Sequence, residues 1–545
     1  MSKFQKNRNE GLKKSLESLP KSKESLKTAA SIPDEDTTNR QGYAAYSVDK
    51  VLHLVAMLNT LKLEPQAYRS ESEQVKEIQS LIEDIAMTNP YLVAQCIVWS
   101  RCIGEGMRSV NHVAAACFAP FAASQTWGKK FYGPFNKKEK KGGCIYRPDD
   151  MAEIKAVYEA MSNKSPMTNA MKKGFASVIE NLDSYLIFKY KNALIDIINL
   201  CHPSAKKSNA TVLVDNKEMK AIDALMKGIN VSADTWEVAQ SDAGQEVAKA
   251  VREGKLTEEK AKEVLKEAKN DNWESLIDDN KLGILAALRN LNNILKGDRQ
   301  SVVDKVCKLV SDASLLKAGK IMPYQIDLAY ETILASPDVS GIKQRQILAA
   351  LGEGIEKSVD NLKELLTGRN LVIMDCSGSM HYRIHTSFNS TTSCCKKAAL
   401  IAAMICKATN ADLIQFGSGA RYRSYSPYDN VFAIAKDIED DNMGCTNLAS
   451  AFRLITENRI EYDRIFILSD NECNSGYNKT AYKSYVRNIG DPYIYSIDLA
   501  AYGTQPLKSD KVHYFFGYGY AMFDAIATDE FNPTKALEEI KKVVI

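Results

Sequence analysis

The period of the apolar pattern changes once along this chain, near Gly368, and that change dictates two kinds of architecture. From Tyr46 to about Leu366 apolar residues return at three- and four-residue steps, the spacing of one helix face. The clearest segments are residues 47–61, 72–87, 89–103, 150–161, 192–200, 282–295 and 344–366. Short polar links carrying Gly or Pro separate helices, among them Asn89-Pro90, Ser165-Pro166, His202-Pro203, Met322-Pro323 and Ser336-Pro337. No strand-like alternation is read across this stretch. Antiparallel helix pairs without a fixed period are therefore expected, each burying one face on its neighbours in a HEAT-like solenoid. Whether such a solenoid closes is not fixed by periodicity.

After Gly368 the grammar is strand, helix, strand. LVIMD, ADLIQFG, YDRIFILSD and PYIYSIDLA read as buried strands with helical segments between them. That alternation predicts an α/β doubly wound parallel sheet with helices on both faces. The expected organisation is a flexible basic arm over 1–40, a helical-repeat region over 41–366 and an α/β domain over 367–545. At 545 residues the chain is too long for one ordinary core. No apolar run approaches the roughly 20 residues needed to span a bilayer, and the lysine-rich start has no apolar stretch of signal-peptide type. The 12 cysteines form no C-x-x-C pair, and several lie inside apolar helical patterns. Reduced, buried thiols in a cytoplasmic protein are the expectation.

Net charge is only +3, so composition alone points to no polyanion. Its distribution is uneven: residues 101–220 hold 19 basic and 11 acidic side chains, net +8. Such a window makes a polyanion-binding patch if the charges converge, and a set of solvated helix faces if they do not. The run Lys137-Lys138-Glu139-Lys140-Lys141 admits the same two readings.

Ligands of doubly wound sheets sit beyond the carboxyl ends of the strands, and this marks Asp375 and Asp470, each closing an apolar strand. Asp375, Ser377 and Ser379 form D-x-S-x-S on one loop, with Gly378 allowing the turn. Thr446 stands in a second loop, GCTN, that opens a helix. Two carboxylates and three hydroxyls offer hard oxygen donors of low charge, which suits Mg²⁺ with waters and leaves a place for a partner's carboxylate. The competing reading is a degenerate loop whose Asp and Ser cap helices. A phosphatase with Asp375 as nucleophile is weaker, since Ser377 stands where a proton donor would be wanted.

These residues resemble the metal-ion-dependent adhesion site (MIDAS) of von Willebrand factor A domains, with Cys445 in place of the usual Gly and Ser469 in place of the usual Thr. The order of helical array and A domain is similar to the Ro autoantigen family, whose helical part is the TROVE domain. The resemblance rests on EGMRSVNHV (105–113), MKKGFASVIENLDSYLIFKYKN (171–192), LCHPS (200–204), NWESLI with LAALRNLNNIL (272–295), IMPYQIDLAY (321–330), LVIMDCSGSM, GCTN and LSDNE. It departs over 205–270, and 381–393 reads as an insertion beside the metal loop. The resemblance implies a closed ring of HEAT-like repeats that binds small noncoding Y RNA outside and single-stranded 3′ ends of misfolded or structured RNA in its hole. It also implies a role in RNA quality control or ribonucleoprotein scaffolding, with an exoribonuclease tethered in bacterial relatives. Carried over residue by residue, the RNA contacts are Lys172, Lys173, Lys189, Lys191 and His202, with Arg108 and His112 as further candidates. His202, before Pro203, reads equally as a helix-end cap.

The expected function is thus that of a non-catalytic, monomeric RNA-binding protein. The alternative is a protein-interaction subunit that works through its Mg²⁺ site, for example beside an AAA ATPase. An enzyme finds little support: there is no P-loop and no Ser/His/Asp grouping, and the chain has 6 His.

Overall fold

The computed structural model describes residues 37–229, 247–386, 390–516 and 533–545, with short interruptions inside these spans. The basic arm over 1–40 lies almost wholly outside the described residues; within the 381–393 insertion Ile384–Thr386 pairs antiparallel with Ser390–Thr392, and only 383 and 387–389 lie outside. Packing divides the chain into two units. One is Met1–Ala233 with Ala500–Gln505 and Asn532–Ile545; the other is Asp234–Leu499 with Pro506–Phe531. The boundary expected at 366/367 marks where helix gives way to sheet, but it does not divide the cores. Helices such as Gly341–Lys363 share one apolar core with the sheet region, through Ile347, Leu351, Ile355 and Val359.

In the first unit local chemistry starts the helices. The Asp49 carboxylate accepts from the N–H groups of Val51 and Leu52, opening Lys50–Thr60. Ser70 and Glu73 form a reciprocal capping box for Glu71–Ala86. Asn89 caps Pro90–Val98, and Pro90 at the first helical position surrenders only a donor that has no helical partner. Further helices run Arg108–Cys117, Asp150–Met161, Asn169–Glu180, Ser184–Lys189 and Lys191–Cys201. Their apolar stripes meet in one core around Phe118, Phe131, Tyr132 and Phe175.

Short strands do interrupt this region, contrary to the helical expectation. Phe135–Asn136 pairs with Lys141–Gly142, Thr211–Val214 with Lys217–Lys220, and Ala44–Ser47 pairs on its two sides with Thr37–Thr38 and Thr504–Gln505. Strands of two to four residues are too short for a two-residue period to be read. Gly142 is needed where it stands: its φ is +119°, and a Cβ there would lie 2.4 Å from the Pro134 carbonyl oxygen. The last residues pack here too, with Ile540, Val543 and Ile545 buried in the same core.

In the second unit six strands lie in the order Ala420–Tyr422, Asp412–Phe416, Asn370–Asp375, Arg464–Ser469, Tyr493–Asp498 and Val512–Phe516. All neighbours are parallel except the first pair. Side chains alternate across the sheet. Leu371, Ile373, Ile465 and Ile467 meet Phe452 and Tyr485 on one face, while Val372, Met374, Phe466 and Leu468 meet the alanine-rich helix Cys394–Thr409 on the other. From Asn370–Asp375 the chain moves to a strand on one side, then returns to Arg464–Ser469 on the other. The switch point therefore falls at Asp375.

Candidate functional sites: a carboxylate–hydroxyl cluster and a cationic helix face

At that switch point three loops are stitched together by backbone. The Gly378 N–H donates to the Gly444 carbonyl at 2.7 Å, Met443 N–H to Cys376 at 2.8 Å, and Asn474 N–H to Thr446 at 2.9 Å. These bonds bring Asp375, Ser377, Ser379, Thr446 and Asp470 to one place from three distant stretches of sequence. The hydroxyls of Ser377 and Ser379 are 3.2 Å apart. Asp375 accepts from the Ser377 N–H at 2.9 Å and from the Ser469 hydroxyl at 2.6 Å.

Two departures from the motif find their reasons in this geometry. Ser469 supplies the hydroxyl a Thr would supply. The left-handed backbone of the GCTN loop falls on Gly444, at φ +81°, so position 445 does not require glycine. Cys445 is exposed, and its N–H donates to Ser418 Oγ at 3.0 Å.

Asp375, Ser377, Thr446 and Asp470 are all buried. Burial pushes the Asp375 carboxyl up to about 6, against the pull of the Ser469 and Ser377 hydrogen bonds. Burial, and then the charge of Asp375, hold Asp470 well above the ordinary carboxylate range. Two enclosed acids that disfavour each other's charge are the setting a divalent cation relieves. Among the described residues no group of three His, Cys, Asp or Glu side chains could hold a metal ion. A cation at this point therefore depends on the Ser and Thr hydroxyls, which is the donor chemistry of Mg²⁺ and not of zinc.

In the first unit the cationic candidates fall into two groups. Lys172 and Lys173 lie on Asn169–Glu180, Lys189 ends Ser184–Lys189, and Lys191 opens Lys191–Cys201. His202 caps that last helix in a left-handed conformation, at φ 49° and ψ 57°, with its side chain exposed. Its backbone is thus a cap while its ring remains available, so the two readings of His202 are compatible. Next to it, the Ser204 N–H donates to Glu180 Oε1 at 2.8 Å, tying the LCHPS turn to the end of the Lys172 helix. Helix Lys191–Cys201 packs on both Asp150–Met161 and Asn169–Glu180, and the charges of Lys172 and Lys155 both act on the Cys201 thiol.

Arg108 and His112 occupy a different place. His112 is buried, with Nε2 at 2.9 Å from Asp150 Oδ1, and Arg108 Nε donates to the same oxygen at 3.0 Å. One Arg101 nitrogen straddles both Asp150 oxygens at 2.8 Å each, and the N–H groups of Tyr146 and Arg147 bind Oδ2. Burial pushes the His112 imidazole below its ordinary value, against the pull of Asp150. His112 is therefore committed to an internal carboxylate, not presented to a ligand, and Arg108 is largely committed with it. Arg147 and Tyr190, which sequence reasoning did not single out, stand at the surface instead: the guanidinium donates to the Tyr190 hydroxyl at 3.0 Å. Their signal was the interleaving of basic and aromatic residues in IYR and SYLIFKY.

Two family models match the chain. The TROVE domain matches residues 128–350 and the Ro60 vWA domain residues 369–490. A crystal structure of the Ro (RSR) protein of Deinococcus radiodurans is similar over 88% of this chain and 100% of that one, with a TM-score of 0.50 at 15% identity. That likeness shows a shared fold, a helical array followed by a von Willebrand factor A domain, as the sequence led one to expect.

Proposed function

Because the chain belongs to the Ro family, a TROVE domain followed by a Ro60-type vWA domain, we propose that it binds RNA through the cationic face of its first unit. The observation that carries this reading is that helix Lys191–Cys201, which ends in the His202 turn, packs on the helices bearing Lys155 and Lys172, and that the Ser204 N–H ties this turn to Glu180 at the end of the Lys172 helix. Lysines there neutralise phosphates and release counterions, which gives sequence-tolerant binding that weakens with salt. Small noncoding RNA of the Y type and single-stranded 3′ ends of misfolded RNA are the proposed cargo, and RNA quality control in the cytoplasm the proposed setting. Among the described residues no helix is long and apolar enough to cross a membrane. The protein acts as a scaffold without chemistry of its own, and an exoribonuclease is a partner reached through the RNA.

The test is a fluorescence anisotropy titration of a structured RNA carrying a single-stranded 3′ tail. Replacing Lys172, Lys173, Lys189 and Lys191 together with Ala should remove most affinity and flatten the salt dependence, by about 0.7 in the logarithmic slope for each lost phosphate contact on the single strand. Unchanged affinity in that variant defeats the reading. The enclosed acids of the second unit favour a companion role. Asp375, Ser377, Ser379, Thr446 and Asp470 would hold Mg²⁺, which supplies an open coordination position for a carboxylate of a protein partner.

A further inference from the structure

On the first unit Tyr190 and Tyr185 share one cation, Lys189, and Arg147, the residue after Tyr146, reaches Tyr190. Lys137 Nζ lies 4.2 Å from the centroid of the Tyr146 ring. Arg147, the next residue, sets its guanidinium 5.8 Å from the Tyr190 ring. Lys189 is shared between two rings, 5.9 Å from Tyr190 and 5.5 Å from Tyr185. The strip draws on the loop ahead of helix Asp150–Met161, on helix Ser184–Lys189 and on the Tyr190 cap that follows it, so it exists only in the folded unit.

Its charge is in excess. Arg147 has a carboxylate neighbour, Asp149, at 3.4 Å. Lys137 and Lys189 meet tyrosines and, among the described residues, no carboxylate. A cation resting on an exposed ring is weakly held, and a phosphate oxygen offers it a stronger, charge-assisted bond. A cation that swings to a phosphate leaves a ring face behind. Tyr185 exposes 41% of its surface, with Lys189 as the cation over its ring and the donor to its hydroxyl at 3.4 Å. Cations alternating with aromatic rings are the arrangement that grips a nucleic-acid strand by both backbone and bases.

We infer that this strip is a stacking platform for unpaired bases: Tyr185 and Tyr190 receive bases of a single strand while Lys137, Arg147 and Lys189 take its phosphates. The inference rests on the RNA-binding reading and adds to it the rings on which unpaired bases of the cargo stack; paired bases present no free face to them.

Three probes separate the two ideas: a short single-stranded oligoribonucleotide, its abasic ribose-phosphate counterpart, and the duplex of the same sequence. The parent protein should bind the base-bearing strand about tenfold or more tighter than the abasic one. Tyr185→Ala should remove about tenfold for the base-bearing strand, leave the abasic and duplex affinities unchanged and preserve the salt slope, since no cation is lost. Tyr185→Phe should retain binding. Tyr190→Leu, which keeps apolar packing, should repeat the loss. Equal affinity for base-bearing and abasic strands, or a Tyr185→Ala variant that binds like the parent, overturns the platform while leaving RNA binding in place. A parent protein that binds none of the three probes overturns the RNA-binding reading, and the platform falls with it.

Discussion

Asp150→Asn is the substitution whose consequence follows most directly from the first unit's geometry. The side chain keeps its shape and loses its charge. Oδ1 takes Arg108, His112 and Arg101 Nη2, while Oδ2 takes the same Arg101 nitrogen and the N–H groups of Tyr146 and Arg147. An amide presents a donor on one side. Whichever way it is turned, its NH₂ faces two or more groups that are themselves donors. With charged partners each lost bond costs about 1.5–3 kcal/mol, and removing one member of a buried ion pair costs about 3–5 kcal/mol; a destabilisation of about 3–5 kcal/mol is therefore expected. Urea unfolding at neutral pH, followed by tryptophan fluorescence and far-UV circular dichroism, measures it. The pH dependence supplies a second check. Burial pushes Asp150 up, but His112, Arg101 and Arg108 overcome that and hold it well below the usual carboxylate range. A carboxyl depressed in the folded state contributes fully above the unfolded value, about 3.9, and its contribution fades as pH falls through the folded value. The stability curves of parent and variant should thus lie apart at pH 7 and converge in acid. A cost under about 1 kcal/mol, or a gap that does not narrow below pH 4, would refute the assignment of Asp150 as the hub of this cluster.

At the Asp375 loop, Ser469→Ala should cost about 1–3 kcal/mol by leaving a buried carboxylate oxygen short of a donor, whereas Ser469→Thr, which keeps the hydroxyl, should cost less; thermal melts compare the two. If Mg²⁺ binds there, it should raise the parent's melting temperature and leave that of Asp375→Ala unmoved. The rise should be larger at pH 7 than at pH 5: a carboxyl raised to about 6 loses stability for the metal-free protein as pH climbs from about 4 toward that value, and the cation restores it. No shift in the parent at either pH would favour the degenerate-loop reading. Gln95→Leu removes the Nε2 donor shared by the carbonyls of Lys541, at 2.7 Å, and Val543, at 2.9 Å; a loss of about 1–3 kcal/mol and faster hydrogen exchange at residues 541–545 should follow, and unchanged exchange would count against that contact.

The elements of both units were legible wherever a pattern ran long enough. Helix Asp150–Met161 coincides with its apolar period, and strands Asn370–Asp375 and Arg464–Ser469 stand where runs of apolar and β-branched residues placed them. The grouping of Asp375, Ser377, Ser379, Thr446 and Asp470 was legible because its two acids stand at strand ends and its hydroxyls on the loops beside them. What escaped were features made by distant partners. Nothing near Arg108 or His112 announces Asp150, which turns them inward from a position 38 residues away in the case of His112. Lys189 was singled out for its charge, yet its neighbours Tyr185 and Tyr190 give it its place. The division of cores escaped for the same reason: the partners of residues 500–505 lie more than 400 positions earlier, as the pairing of Gln66 with Ala500 shows at a separation of 434.

That separation bears on synthesis. The Gly142 N–H waits for the Val544 carbonyl, and the Tyr91 hydroxyl for the Ile545 N–H. On the ribosome the first unit's helices have emerged by Met226, but Ile540, Val543 and Ile545, which complete their core, follow only about 300 residues later. The sheet can consolidate in that interval, since all six of its strands lie between Asn370 and Phe516. An unfinished apolar surface standing exposed for so long is a binding site for chaperones, and a nascent chain stalled before residue 541 should be held by them.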